Sequence, residues 1–203
     1  KGQRVFRSSA DDPAGAFEAL GGVPLILESL VPFEREISII AARGIDGTVL
    51  CYDPAENVHQ NGILHTSVVP ATAPDSTVAA AREAARSLLD ALGYVGVIGI
   101  EFFGMADGGL IANEIAPRVH NTGHWTEAAC VVSQFEQHIR AVAGLPLGNP
   151  RRHSDCRMTN LIGDDMRDLS TWLERPDTLV HLYGKTEARP GRKMGHVTEL
   201  TGS

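Results

Sequence analysis

Apolar residues follow two rhythms along this chain. Short β-branched runs, such as Ile37-Ser38-Ile39-Ile40 and Ile63-Leu64-His65-Thr66-Ser67-Val68-Val69, have the length and composition of strands. From 75 to 92, Ala, Val and Leu recur among Arg, Glu and Asp at helical spacing, and Gly93 supplies the stop. Applied along the chain, these rhythms predict a strand-like start at 4–7. A helix over 14–20 follows, led by Asp11-Asp12-Pro13 and ended by Gly21-Gly22. Strands are predicted at 25–30, 36–43, 48–52 and 63–69, with Gly44 to Gly47 turning the second into the third. A hairpin at 97–114 comes next, then a helix over 134–143. Residues 145–150, with two Pro and a Gly, read as a linker, and strands follow at 157–162, 179–183 and 195–200. Strands joined by hairpins and mixed with helices make the fold class α+β: an antiparallel sheet with helices over 1–145 and a small β-rich domain over 146–203.

The hairpin carries the chemistry. Asp107-Gly108 lies between two apolar runs, and Asp-Gly is the preferred centre of a two-residue type I′ turn. Counting outward from it sets Ala106 against Gly109 and Glu101 against Glu114. Cross-strand partners have Cβ atoms roughly 4.5–5.5 Å apart. Two carboxylates that close need a shared proton or a cation between them, and two oxygen ligands on a rigid hairpin suit a nucleotide-borne Mg²⁺. The alternative is an exposed pair on a solvated sheet face. Both Glu101 and Glu114 end apolar runs, Val97-Ile98-Gly99-Ile100 and Leu110-Ile111-Ala112-Asn113, which predicts that both lie deep in the sheet, where charge needs a partner. The segment 115–126 then brings Arg118, His120, Asn121 and His124 together, with Pro117 and Gly123 to fix the loop. It is a poor strand and a poor helix, so its polar groups suit a ligand.

Composition narrows the classes. With 203 residues, 43% hydrophobic, the chain can bury one large or two small cores. A formal net charge of -7 disfavours a general nucleic-acid surface. No apolar run reaches membrane-spanning length, and no signal peptide is visible. The three cysteines, Cys51, Cys130 and Cys156, show neither zinc spacing nor a disulfide framework, which favours a reducing cytoplasm.

Glu101 together with Asn113-Glu114-Ile115-Ala116-Pro117-Arg118-Val119-His120-Asn121-Thr122-Gly123-His124-Trp125-Thr126 resembles the metal and acceptor segment of the ATP-grasp enzymes. Within them the chain looks most like the N5-carboxyaminoimidazole ribonucleotide synthase family, from Lys1-Gly2-Gln3 to Arg192-Lys193-Met194-Gly195-His196. The resemblance implies ATP as cosubstrate and Mg²⁺, or Mn²⁺, on Glu101, Glu114 and Asn113. Bicarbonate and 5-aminoimidazole ribonucleotide would be the other substrates, and the protein a homodimer. Lys1, Gly2 and Gln3 match the end of a phosphate-covering loop, so the start reads as the interior of a longer protein. Glu28, Ser29, Leu30 and Val31 are implied along the adenine, Glu36 on the ribose and His59 as a further nucleotide contact. Arg118, His120 and Asn121 would hold the one-carbon unit, with Arg118 offering a planar fork for an anion. His124 and Trp125 shape the loop, with Trp125 packed beneath it. The basic cluster Lys185, Arg189, Arg192 and Lys193 around Pro190-Gly191 makes Lys185, Arg192 and Lys193 candidates for a substrate phosphate; a solvated face is the other reading of such a run. The runner-up functions are another ATP-grasp ligase, such as a formate-dependent glycinamide ribonucleotide transformylase, and a non-catalytic nucleotide-binding or dimerisation module.

Overall fold

The computed structural model describes residues 2–202. Two compact units divide the chain, Lys1–Pro32 and Phe33–Ser203. The first contains a single helical turn, α1 (Ala16–Ala19), entered from Gly15 in the left-handed region. Upstream, the Asp11 carboxylate accepts hydrogen bonds from the backbone N–H groups of Arg7 and Ser8. The helix expected over 14–20 is thus cut to one turn, because none of its residues is buried and a short helix needs an apolar face to hold it. The stretches 4–7 and 25–30, expected as strands, are irregular coil that pairs with no strand among the described residues, and Ile26 and Leu27 are almost fully exposed.

The second unit is built on one antiparallel sheet. Its strands are β1 (Arg35–Arg43), β2 (Val49–Cys51), β3 (Ala55–Gln60), β4 (Ile63–Val69), β5 (Gly96–Gly104), β6 (Leu110–Ala116), β7 (Asp155–Ile162), β8 (Thr178–Leu182) and β9 (Lys193–Gly202). The order is β6-β5-β1-β3-β4-β7-β9-β8, with β2 paired to β1 beside β3. The C-terminal strands therefore continue the same sheet through β4 and β7. The helices are α2 (Asp75–Leu92), α3 (Thr126–Ala129), α4 (Gln134–Val142) and α5 (Leu169–Leu173), with short 3₁₀ turns at Asn121–Gly123 and Gly163–Asp168.

Strand alternation sorts the core onto two faces. Ile39, Ala41, Ile98, Ile100 and Phe102 face α2, which buries Ala81, Ala85 and Leu89 at four-residue spacing. Gly93 closes α2 in the left-handed conformation that favours glycine. On the opposite face, Ile40, Ala42, Tyr52, Ala55, Val97 and Met158 pack under Trp125 and Ala129. α4 lies on that side too. Its inward residues are Gln134, Gln137 and Ala141, and both glutamines are fully buried. The Gln137 amide donates to the Gly148 carbonyl and accepts from the Gly148 N–H, both at 2.8 Å. The stretch 145–150, expected as a linker, is thereby stapled to the helix.

β3 was not expected from the sequence, where 56–62 reads as a loop. It pairs with both β1 and β4 although its residues are mostly polar. Two side-chain bonds help hold it: buried Asn57 accepts from the Ser67 hydroxyl at 2.7 Å, although its Nδ2 has no partner, and His59 bonds to Glu36.

Candidate functional site

The β5–β6 hairpin brings Glu101 directly opposite Glu114, as the count from Asp107-Gly108 predicts, but by a different route. The turn is wider than two residues. Met105 exchanges hydrogen bonds with Gly108 and Gly109, and Gly108 takes φ 84°. This is a three-residue loop with a glycine in the left-handed position. It shifts the pairing at the tip by one residue, so Gly104 faces Leu110 and Phe102 faces Ala112. A bulge at Asn113 removes the shift, and Asn113 and Glu114 together oppose Glu101. The expectation that both carboxylates are deeply placed holds for Glu101 alone. Glu114 is exposed, because β6 is an edge strand with β5 as its neighbour.

His120 lies between the two carboxylates, with Nδ1 3.8 Å from Glu101 and Nε2 3.6 Å from Glu114. At these separations the ring is a close neighbour of both carboxylates without hydrogen-bonding either; the hydrogen-bond partner of Nδ1 is the Thr122 hydroxyl at 2.9 Å. The ring approaches so closely because Gly99 lies beneath it, where a Cβ would come within 2.5 Å of the His120 Cβ. Its backbone is pinned from α4. The Gln134 side chain donates to the His120 carbonyl at 2.7 Å and accepts from its N–H at 3.0 Å. A second histidine enters from β3: His59 is 2.9 Å from Glu36 through Nδ1 and 4.0 Å from Glu101 through Nε2. Glu36, His59, Glu101, Glu114 and His120 thus form one cluster on the sheet face opposite α2.

Burial raises the Glu101 pKa; the His59 charge opposes that shift, while Glu114 and Glu36 add to it. Burial likewise lowers the His120 pKa, and Glu114 opposes that. Burial also brings His124 down to about 3, helped by His196 and Lys193, so its ring stays neutral.

Asn121 and Lys193 also meet. The Lys193 ammonium donates to Asn121 Oδ1 at 2.5 Å, and Asn121 exchanges two amide hydrogen bonds with Asn160 of β7. Arg118 is exposed and rests its guanidinium on the next carbonyl at 3.0 Å. Lys185 donates to the Lys193 carbonyl and Arg192 to the Glu187 carbonyl, so the basic segment folds onto itself beside the start of β9. Gly2, Gln3, Glu28, Ser29, Leu30 and Val31 belong to the first unit, and Lys1 lies outside the described residues. Trp125 is buried beneath the loop, edge-on to Tyr52, with an unpartnered indole N–H.

Two residues escaped the sequence analysis, Gln134 and Asn160. Each is an amide at a position the pattern would give to an apolar side chain, Gln134 just after the Ser133 cap and Asn160 between Met158 and Leu161. A further cluster lines a cavity of about 170 Å³: the ligand atoms of Glu127, His181 and His196 lie within 4.8 Å of one another. The His181 and His196 rings are stacked within 6° of parallel, so no single ion lies in both ring planes as they stand.

Residues 1–135 match the ATP-grasp domain. The chain belongs to the ATP-grasp family. Residues 156–203 of this ATP-grasp chain match the phosphoribosylaminoimidazole carboxylase C-terminal domain. The N5-carboxyaminoimidazole ribonucleotide synthase of Brucella melitensis biotype 1 is 60% identical over 201 residues, 98% of this chain and 56% of that protein. The crystal structure of an ADP complex of N5-carboxyaminoimidazole ribonucleotide synthetase superposes with TM-score 0.94 at 43% identity, covering 99% of this chain and 53% of the other. The Aspergillus clavatus N5-carboxyaminoimidazole synthase in complex with ADP and 5-aminoimidazole ribonucleotide gives TM-score 0.88 at 34% identity, over 93% and 52% of the two chains. The chain spans about half the length of the curated relatives it matches. The α+β class, an ATP-grasp portion followed by a smaller C-terminal one, stands. In this ATP-grasp chain the donor set fits a divalent ion: two directly opposed carboxylates with an amide at the bulge beside them, while Glu36 adds to the negative field on Glu101.

Proposed function

We propose that the protein is an ATP-dependent ligase that carboxylates 5-aminoimidazole ribonucleotide with bicarbonate, giving N5-carboxyaminoimidazole ribonucleotide, ADP and phosphate. The observation that carries this reading is the Glu101–Glu114 pair with His120 between them and the Asn121–Lys193 contact alongside. Residues 1–145 serve as the nucleotide and metal portion and 146–203 as the smaller one; the two matched segments, 1–135 and 156–203, support that division. Glu101, Asn113 and Glu114 would hold Mg²⁺ or Mn²⁺, which supplies charge neutralisation at the transferred phosphoryl group. Glu36 and His59 take the ribose side of the nucleotide, with Glu28 to Val31 along the adenine and Lys1, Gly2 and Gln3 at the phosphates.

On the acceptor side Arg118 receives bicarbonate as an anion. Bicarbonate oxygen attacks the γ-phosphoryl group, and carboxyphosphate forms with release of ADP. The exocyclic amine of the acceptor then takes up the carboxyl carbon, and phosphate leaves. His120, kept neutral by burial, offers Nε2 to the proton that the amine loses. Arg118, His120 and Asn121 keep the one-carbon unit in place, while Lys185, Arg192 and Lys193 face the ribose 5′-phosphate. The protein acts as a homodimer in the cytoplasm; its three unpaired cysteines suit a reducing compartment.

The test is ADP release by the full natural chain, with and without bicarbonate and the aminoimidazole ribonucleotide. Glu114→Gln should abolish bicarbonate-dependent release. Wild-type turnover in that variant removes the metal role, and turnover supported by formate and glycinamide ribonucleotide instead replaces the carboxylase reading.

A further inference from the structure

Asn160 is fully buried in the middle of β7, within the segment that matches the C-terminal domain family. An amide there costs stability unless every polar atom is paired. Its Nδ2 donates to the Leu64 carbonyl of β4 at 3.0 Å and to Asn121 Oδ1 at 2.8 Å, and its Oδ1 accepts from Asn121 Nδ2 at 3.0 Å. The Leu64 bond fixes which way the Asn160 amide points. The reciprocal pair then fixes Asn121, leaving the Asn121 oxygen turned toward the Lys193 ammonium at 2.5 Å. The chain of contacts runs from the β4 backbone through two amides to one cation. That cation is among the charges acting on Glu101, His120 and His124, so it stands within the cluster described above.

We propose that Asn160 is a positioning residue: through Asn121 it holds the Lys193 ammonium at the place where the phosphorylated acceptor binds. This rests on the reading of Lys193 as a substrate contact. A lysine is a flexible point charge with three rotatable donors, and freezing it beforehand removes an entropic cost that binding would otherwise carry. Asn160 reaches across from the segment matching one domain family to a loop in the segment matching the other, so the pair also keeps the basic start of β9 in register with the His120 loop.

The experiment is steady-state kinetics on the full natural chain, comparing Asn160→Asp, Lys193→Met and the double variant. Asp is isosteric but loses both donor bonds. Asn160→Asp should raise KM for the aminoimidazole ribonucleotide about tenfold and leave KM for ATP within twofold. Lys193→Met should raise the same KM at least as much, and the double variant should match Lys193→Met rather than multiply the two effects. Multiplicative effects, or KM for ATP and acceptor rising together, overturn the positioning role and leave Asn160 a packing residue. An unchanged KM in Lys193→Met overturns the substrate reading of Lys193 itself, separately from the amide pair. Should the Asp variant fail to accumulate, Asn160→Ser, which keeps one donor, carries the same comparison.

Discussion

Replacing Gln134 with Leu tests how the His120 loop is held. The two side chains have similar volume, so little cavity is expected. What is lost is pairing. The His120 N–H and C=O are both satisfied by the one Gln134 amide, at 3.0 and 2.7 Å, and Gln134 is fully buried. Each buried backbone group left unpaired costs about 1–3 kcal/mol, so the pair is worth about 2–6 kcal/mol. That is a large part of the ~5–15 kcal/mol that holds a typical domain folded. The assay is the urea midpoint at unchanged slope, together with hydrogen exchange at the His120 amide. Gln137→Leu supplies the control, since it breaks an equivalent staple on Gly148. Both variants should be destabilised by similar amounts, and Gln134→Leu should in addition slow turnover. A loss below about 1 kcal/mol with the His120 amide still protected would refute the reasoning.

Gly99→Ala places a methyl group 2.5 Å from the His120 Cβ and 2.9 Å from its Cγ, so ring and strand must part; turnover should fall by about a hundredfold, while a near-normal rate would show that the loop yields freely. His196 gives a pH prediction. Burial, aided by His181, brings its pKa down to about 4, and it is nearly fully enclosed. The unfolded chain binds the proton first, so stability is complete above about pH 6.5 and declines as pH falls toward 4, by about 3 kcal/mol from this group. Urea midpoints at pH 7 and 4.5 should therefore draw together for His196→Phe relative to the parent chain, and an equal acid loss in both would remove His196 as its source.

Regular, strongly periodic elements were legible in the sequence. The helix over Asp75–Leu92 and the strand Ile63–Val69 have the predicted ends, because a helical stripe with a glycine stop and a β-branched run between turns leave little choice. The carboxylate pair was legible too, although the turn leading to it was not. Leu110 and Ile111 are adjacent and both apolar, so the hydrophobic pattern allows either to face α2. The observed loop turns Leu110 onto the α2 core, and Thr77 fastens it by donating to the Gly108 carbonyl at 2.9 Å. Both registers oppose Glu101 to Glu114; tertiary packing decides between them. β3 was missed because its polar side chains find partners on neighbouring strands, which no local rule detects. The run 25–30 fails in the opposite sense: it has strand composition, yet no strand pairs with it. Asn160 and Gln134 were hidden for a related reason, since their partners lie 39 and 14 residues away in sequence.

Because β7 joins β4 edge to edge over four residue pairs, the C-terminal strands have no hinge of their own. Swinging them away from β1, β3 and β4 would mean unzipping backbone hydrogen bonds in the middle of a sheet. That face is therefore a continuous floor, and any rearrangement upon it falls to the side chains and loops rather than to the strands.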